Sequence, residues 1–153
     1  GANYFHDLFR VHSALGCGLE KEGVKVFAYI TPIKDKEILI FSDSLSLSLE
    51  ERMYEVLACL RDRMGVTSFN LALAMPPLAP VEESWEGFPV MVRVVDRGDP
   101  RSNASDIGTM ELYAASVITS DPFKVARELK EALVASPQPA ADESGQAAEA
   151  SQV

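Results

Sequence analysis

Hydrophobic positions along the chain switch between the 3.6-residue period of a helix and the two-residue period of a strand. Behind Asn3, a suitable N-cap, Phe5, Leu8, Phe9, His12 and Leu15 recur at helical spacing, and Gly16 and Gly18 stop the run. Val24 to Pro32 and Glu37 to Phe41 are two β-rich runs around the charged turn Ile33-Lys34-Asp35-Lys36, which predicts a hairpin. Pro32 suits a strand end or edge, where no ladder donor is needed. Ser48 and Glu51 spell a capping box ahead of a single apolar stripe, Leu49, Met53, Val56, Leu57, Leu60 and Met64. Arg61 and Arg63 complement the dipole at the end of that helix, and Gly65 closes it. Ser68 to Met75 then alternates, with Phe69, Leu71, Leu73 and Met75 on one face and Asn70, Ala72 and Ala74 on the other. That predicts a strand whose small-residue face lies against something bulky or under a ligand.

The stretch from Phe88 to Ile118 organises the rest. Phe88 to Asp96 is apolar and β-branched enough to be a mostly buried strand. Arg97-Gly98-Asp99-Pro100-Arg101-Ser102-Asn103 breaks it with turn formers, and Thr109 to Ile118 recovers as a further strand. Asp121-Pro122 opens a last helix, whose stripe of Phe123, Ala126, Leu129 and Leu133 ends near Ala135. The order is α-β-β-α-β-β-β-α. It predicts one α+β domain over residues 1–135, a mostly antiparallel five-stranded sheet with its helices packed chiefly on one face. From Ser136 no aromatic or large aliphatic residue occurs until Val153, so residues 136–153 are expected to form a disordered acidic tail.

Composition narrows the function classes. A chain of 153 residues, 47% hydrophobic and 24% charged, buries a core without staples. The net charge of −9 excludes a nucleic-acid-binding surface, which needs clustered Lys and Arg. Removing the tail's Asp142, Glu143 and Glu149 still leaves the domain acidic. No signal peptide and no long apolar run occur, so a soluble cytoplasmic protein without membrane contact is expected. Cys17 and Cys59 have no metal-ligand spacing, and Cys59, between helical leucines, is expected to be a reduced, buried thiol. His6 and His12, six residues apart, do not share a helix face as metal ligands would; His6 is expected to be solvated and His12 partly packed. Neither a metal nor a cofactor is expected.

With the elements in order, the motifs resemble those of a known family. Phe69-Asn70-Leu71-Ala72-Leu73 followed by Pro76-Pro77 is similar to the "fNl.l...P" strand of the galactose-1-phosphate uridylyltransferase family. Phe88 to Arg97 resembles its "fHwHiei.PR" strand. Met110-Glu111, Ala115 to Ile118 and Pro122 to Leu129 resemble its "GfE.gtG..iN..pPe.aA..Lr" ending. The resemblance runs from about Val24 to Leu133 and implies a histidine-triad-like (HIT-like) fold, that of the second of the family's two halves. It also implies histidines where Pro89 and Met91 stand, and neither replacement offers a titratable nitrogen. The nucleophilic His-Pro-His of the other half has no counterpart, since no His-x-His occurs in this sequence. No catalytic residue is therefore assigned.

The resemblance implies that Glu111 reaches a sugar-phosphate in a neighbouring site; the alternative is a polar, outward-facing strand residue. Arg93 and Arg97, together with Arg101, stand around a Gly-Pro-Asn turn and would suit a phosphate or carboxylate. The simpler expectation is that the arginines pair with Asp96, Asp99 and Asp106. Asn70, in the "fNl" strand, completes the ligand set of Glu111, Arg93, Arg97 and Asn70. The expected ligand is a nucleotide-sugar or hexose phosphate, and the expected partner is a second copy or a partner half-domain. Two functions follow: a catalytically incomplete module acting in assembly or ligand binding, or the C-terminal part of an active nucleotidyltransferase or nucleotide-sugar phosphorylase. The opening Gly1-Ala2, without methionine, fits the latter. A scaffold that recruits a partner through its acidic tail is a third.

Overall fold

A computed structural model describes residues 3–101 and 118–135. Its elements are α1 (Tyr4–Ala14), β1 (Gly18–Lys21), β2 (Val24–Ala28), β3 (Ile38–Ser42), α2 (Leu47–Asp62), β4 (Phe69–Ala74), β5 (Val90–Asp96) and α3 (Pro122–Ala135). The strands form one sheet in the order β1-β2-β3-β5-β4, antiparallel throughout. The domain is thus α+β with a five-stranded antiparallel sheet, and four of these strands, β2 to β5, are among those predicted. Thr109 to Val117, expected as a strand, and the tail lie outside the described residues. A strand not predicted, β1, pairs with β2 across Glu22 and Gly23, both at positive φ as a type I′ hairpin turn requires. Four residues beginning with glycine and ending in Glu20-Lys21 carry too little alternation to announce a strand.

Register separates two apolar faces. Val24, Val26 and Ala28 of β2, Ile38 and Ile40 of β3, and Val90, Val92 and Val94 of β5 pack beneath α2 and α3. Phe27, Leu39 and Phe41 point the other way, where α1 covers them with Phe5, Leu8 and Phe9. Two of the three helices therefore share one face. α3 turns Val125, Ala126, Leu129 and Leu133 inward. Phe123 is exposed instead of buried, because at 100° per residue it stands about 120° around the helix from Leu129.

Two helix details differ from expectation. The cap of α2 is Ser46, extended and accepting from Leu49 N at 3.2 Å, which leaves Ser48 inside the first turn. The buried stripe of α2 also contains a charge: Arg52 lies among Leu49, Val56 and Cys59. Its guanidinium meets Glu55 (2.8 Å), Glu51 (3.3 Å) and Glu22 (3.5 Å). The approach to Glu55 is close, but the Nε–H is not aimed along it, so charge rather than a directed hydrogen bond carries the contact. Lys21 completes the group by bonding Glu55 and the carbonyl of Leu133 at the end of α3.

The turn between β2 and β3 anchors the other end of α3. Asp35 accepts from the backbone N–H and hydroxyl of both Thr119 and Ser120, at 2.6 to 3.0 Å. Burial alone would push this carboxyl up, but the four donors outweigh it and hold it below its ordinary 3.8. A carboxyl depressed by folding contributes stability that is complete above its unfolded value and is lost as pH falls through the lower folded one. Acid titration from pH 5 to 2 is expected to weaken the wild type more than Asp35→Ala, measured by urea midpoint. Parallel curves for the two proteins would refute this.

Candidate functional site

Alternation on β5 sends Pro89, Met91 and Arg93 to the α1 side of the sheet, opposite Val90, Val92 and Val94. This is the face on which the expected histidine positions stand. Met91 packs into the aromatic cluster under α1, where Phe5 lies edge-on to Phe41 at 5.7 Å and to Phe88 at 4.8 Å. Phe9 meets Phe27 at 5.8 Å. Helix α1, which has no part in the motif resemblance, therefore fills the face above Met91.

A buried histidine holds α1 down. His12 Nδ1 lies 2.8 Å from the carbonyl of Leu8, and the backbone N–H of Ile30 donates to Nε2 at 3.2 Å. The second bond makes Nε2 the acceptor, so Nδ1 carries the proton. The ring also stacks on Tyr29 at 5.2 Å. His12 is fully buried rather than partly packed, and His6 is exposed as expected. Both ring nitrogens of His12 are committed to backbone groups, which leaves neither for chemistry.

Beyond α1 the same face continues onto β5 and β4. Asn70 pairs with Val95, and Ala72 with Arg93, so Asn70 and Arg93 are diagonal neighbours on one face. Glu37, nearly fully buried, brings its Oε1 to 2.8 Å from Arg93 Nε while its Oε2 accepts from Ile33 N at 2.7 Å. Here too the Nε–H is not directed at the carboxylate, so the contact is chiefly charge on charge. Arg97 stands past the strand end, where its backbone N–H donates to Ser68 O at 2.9 Å. Arg101 pairs with Asp99 through two 3.1 Å contacts, as expected, whereas Asp96 takes Lys36. The Arg93 partner is Glu37, which sequence neighbours did not indicate; only the β3–β5 register brings it near. Asp106 and Glu111 lie outside the described residues.

Nucleophiles are scarce on this framework. Both cysteines are free and buried. Burial pushes the Cys59 thiol up to about 11 and raises Cys17 as well, so neither supplies a thiolate at neutral pH. Among the described residues no group of three or more His, Cys, Asp or Glu is placed to hold a metal ion. Also among them, no helix is long and apolar enough to cross a membrane. What the face offers is hydrogen bonding from Asn70 and a guanidinium fixed by a buried carboxylate.

A scan of protein-family models gives no match, and neither does a search of curated proteins. Solved structures do match. A uridylyltransferase aligns over 82% of this chain and 44% of its own, with a TM-score of 0.60 at 16% identity. A uridylyltransferase mutant aligns over 76% of this chain and 42% of its own, with a TM-score of 0.54 at 17% identity. The chain thus spans less than half the length of either neighbour. Its fold is uridylyltransferase-like.

Proposed function

We propose that this domain is a catalytically incomplete HIT-like module, resembling the C-terminal half of a hexose-1-phosphate uridylyltransferase, that acts in assembly or in holding a nucleotide or sugar-phosphate. The observation that carries this reading is α1 packed over Met91, on the face where Pro89 and Met91 stand for histidines. Neither Pro89 nor Met91 offers a titratable nitrogen for a uridylyl-histidine intermediate, and α1 covers Met91.

Strand β4 supports the assembly role. Among the described residues it pairs only with β5, and its apolar side stays open, with Phe69 46%, Leu71 37% and Leu73 45% exposed. It carries no charge, glycine or proline to discourage a further strand. A second copy or a partner half-domain adds there by strand pairing, which leaves the α1-side face with Asn70 and Arg93 for a ligand; Arg97 and Glu111 remain the other members of the proposed ligand set. Sedimentation is expected to show a dimer that Leu71→Lys/Leu73→Lys converts to monomer, and uridylyl transfer between UDP-glucose and galactose 1-phosphate is expected to be absent. Turnover by this chain alone would overturn the proposal, and a monomeric wild type would remove the homodimer.

A second reading is favoured by one observation, the coverage of less than half of each structural neighbour. In it this domain is the C-terminal part of an active nucleotidyltransferase or nucleotide-sugar phosphorylase whose other half supplies the nucleophilic histidine. Activity that appears only when such a half is added in trans would decide for it.

A further inference from the structure

A cleft lies between the start of α1 and the loop before β5, at the edge of the aromatic cluster under α1. Its volume is about 780 Å³. Four aromatic rings make one wall as a chain of edge-on contacts: Tyr4 on Phe5 at 5.4 Å, Phe5 on Phe88 at 4.8 Å, and Phe88 on Trp85 at 5.1 Å. Glu83 and Glu86 line the remainder. Neither carboxylate has an ion-pair or hydrogen-bond partner among the described residues, whereas Glu22, Glu37, Glu51 and Glu55 all face a cation. Trp85 is 40% and Tyr4 64% exposed, so ring surface remains open to a ligand.

The cleft is built rather than incidental. Asn3 joins its two sides, accepting from His6 N at 3.1 Å as the cap of α1 and donating through Nδ2 to the carbonyl of Gly87 at 2.8 Å. Gly87 is at φ +77, and a Cβ there would run into Asn3 Nδ2, so only glycine permits this closure.

We propose that this cleft binds an organic cation of the guanidinium or alkylammonium class through the aromatic wall and the two carboxylates. Aromatic faces attract such cations, more so beside unpaired carboxylates. The positive end of the α1 dipole opposes this, but it amounts to about half a charge against two full ones. The net charge of −9 reinforces the same sign at longer range. An anion would meet Glu83 and Glu86 together, so anionic ligands are rejected at the same place. The cation arrives on a basic peptide as an arginine side chain or as a free polyamine, and the chemistry is the same for both. This site is independent of the assembly reading.

Trp85 is the sole tryptophan, so its emission reports on the cleft directly. The intact chain is titrated with N-acetyl-arginine-methylamide, with spermidine, and with N-acetyl-citrulline-methylamide as the neutral isostere. A saturable emission change is expected with one or both cations and not with the citrulline derivative; preference between the two identifies the source. Glu83→Gln/Glu86→Gln is expected to weaken binding by about tenfold, or roughly 1.4 kcal/mol, with an unchanged thermal midpoint. Absence of saturation with both cations, equal binding of the citrulline derivative, or an unaltered affinity in the double variant would each overturn the site.

Discussion

Arg52→Ala is expected to lower stability by about 3–5 kcal/mol, the usual cost of removing one member of a buried ion group. The guanidinium is 1% exposed and stands against Glu22, Glu51 and Glu55. Without it Glu55 keeps only Lys21, whose ammonium is already shared with the Leu133 carbonyl, and Glu22 and Glu51 keep no cation among the described residues. The arginine stem also packs within the buried stripe of α2, so alanine adds a void to the unpaired charge. Two further variants separate the contributions. Arg52→Met retains the stem and recovers the packing, and Arg52→Met/Glu55→Met removes the stranded carboxylate as well. Stability measured by urea midpoint is expected to rise in the order Arg52→Ala, Arg52→Met, double variant. A loss below 1 kcal/mol for the alanine variant would mean that water reaches the group and that its charges are solvated.

The second large effect is expected at His12, where alanine should cost about 2–4 kcal/mol by combining a cavity with an orphaned buried donor. The donor is the backbone N–H of Ile30, whose bond to Nε2 ties the residues after β2 to α1. His12→Leu refills most of the volume but leaves that N–H unsatisfied, so it isolates the hydrogen-bond share. Amide hydrogen exchange gives a local readout. Amides of α1 are expected to lose protection in His12→Ala before those of α2 and α3, because the aromatic cluster is a smaller contact than the main core. Uniform loss over the whole domain would show that α1 is not a separately detachable cover.

Much of this architecture was legible because period and turn chemistry agreed. Phe69-Asn70-Leu71-Ala72-Leu73-Ala74 alternates in sequence, and the β4–β5 register places its two faces accordingly. The β2–β3 hairpin and the Asp121-Pro122 start of α3 were legible for the same reason. Features that depend on distant partners were not. Arg52 falls on the α2 stripe, but a charge there is burial-competent only once Glu22 and Lys21 arrive from the β1–β2 hairpin. Arg93 has acidic residues close by in sequence, yet its partner Glu37 is reached through β-pairing across dozens of residues. The amphipathic pattern of α1 announced a helix without saying which sheet face it would cover. Glu111, named from motif resemblance alone, lies outside the described residues, so its role rests on that resemblance.

The strand order β1-β2-β3-β5-β4 bears on how the chain emerges from a ribosome. By the time α2 has left the exit tunnel, β1 to β3 form a complete meander that α1 and α2 flank on opposite sides. The outer edge of β3, carrying Ile38 and Ile40, then waits for β5, which is made only after the whole of β4 and the proline-rich loop. During that interval the nascent chain presents an unpaired hydrophobic edge, the segment on which a ribosome-associated holdase would act.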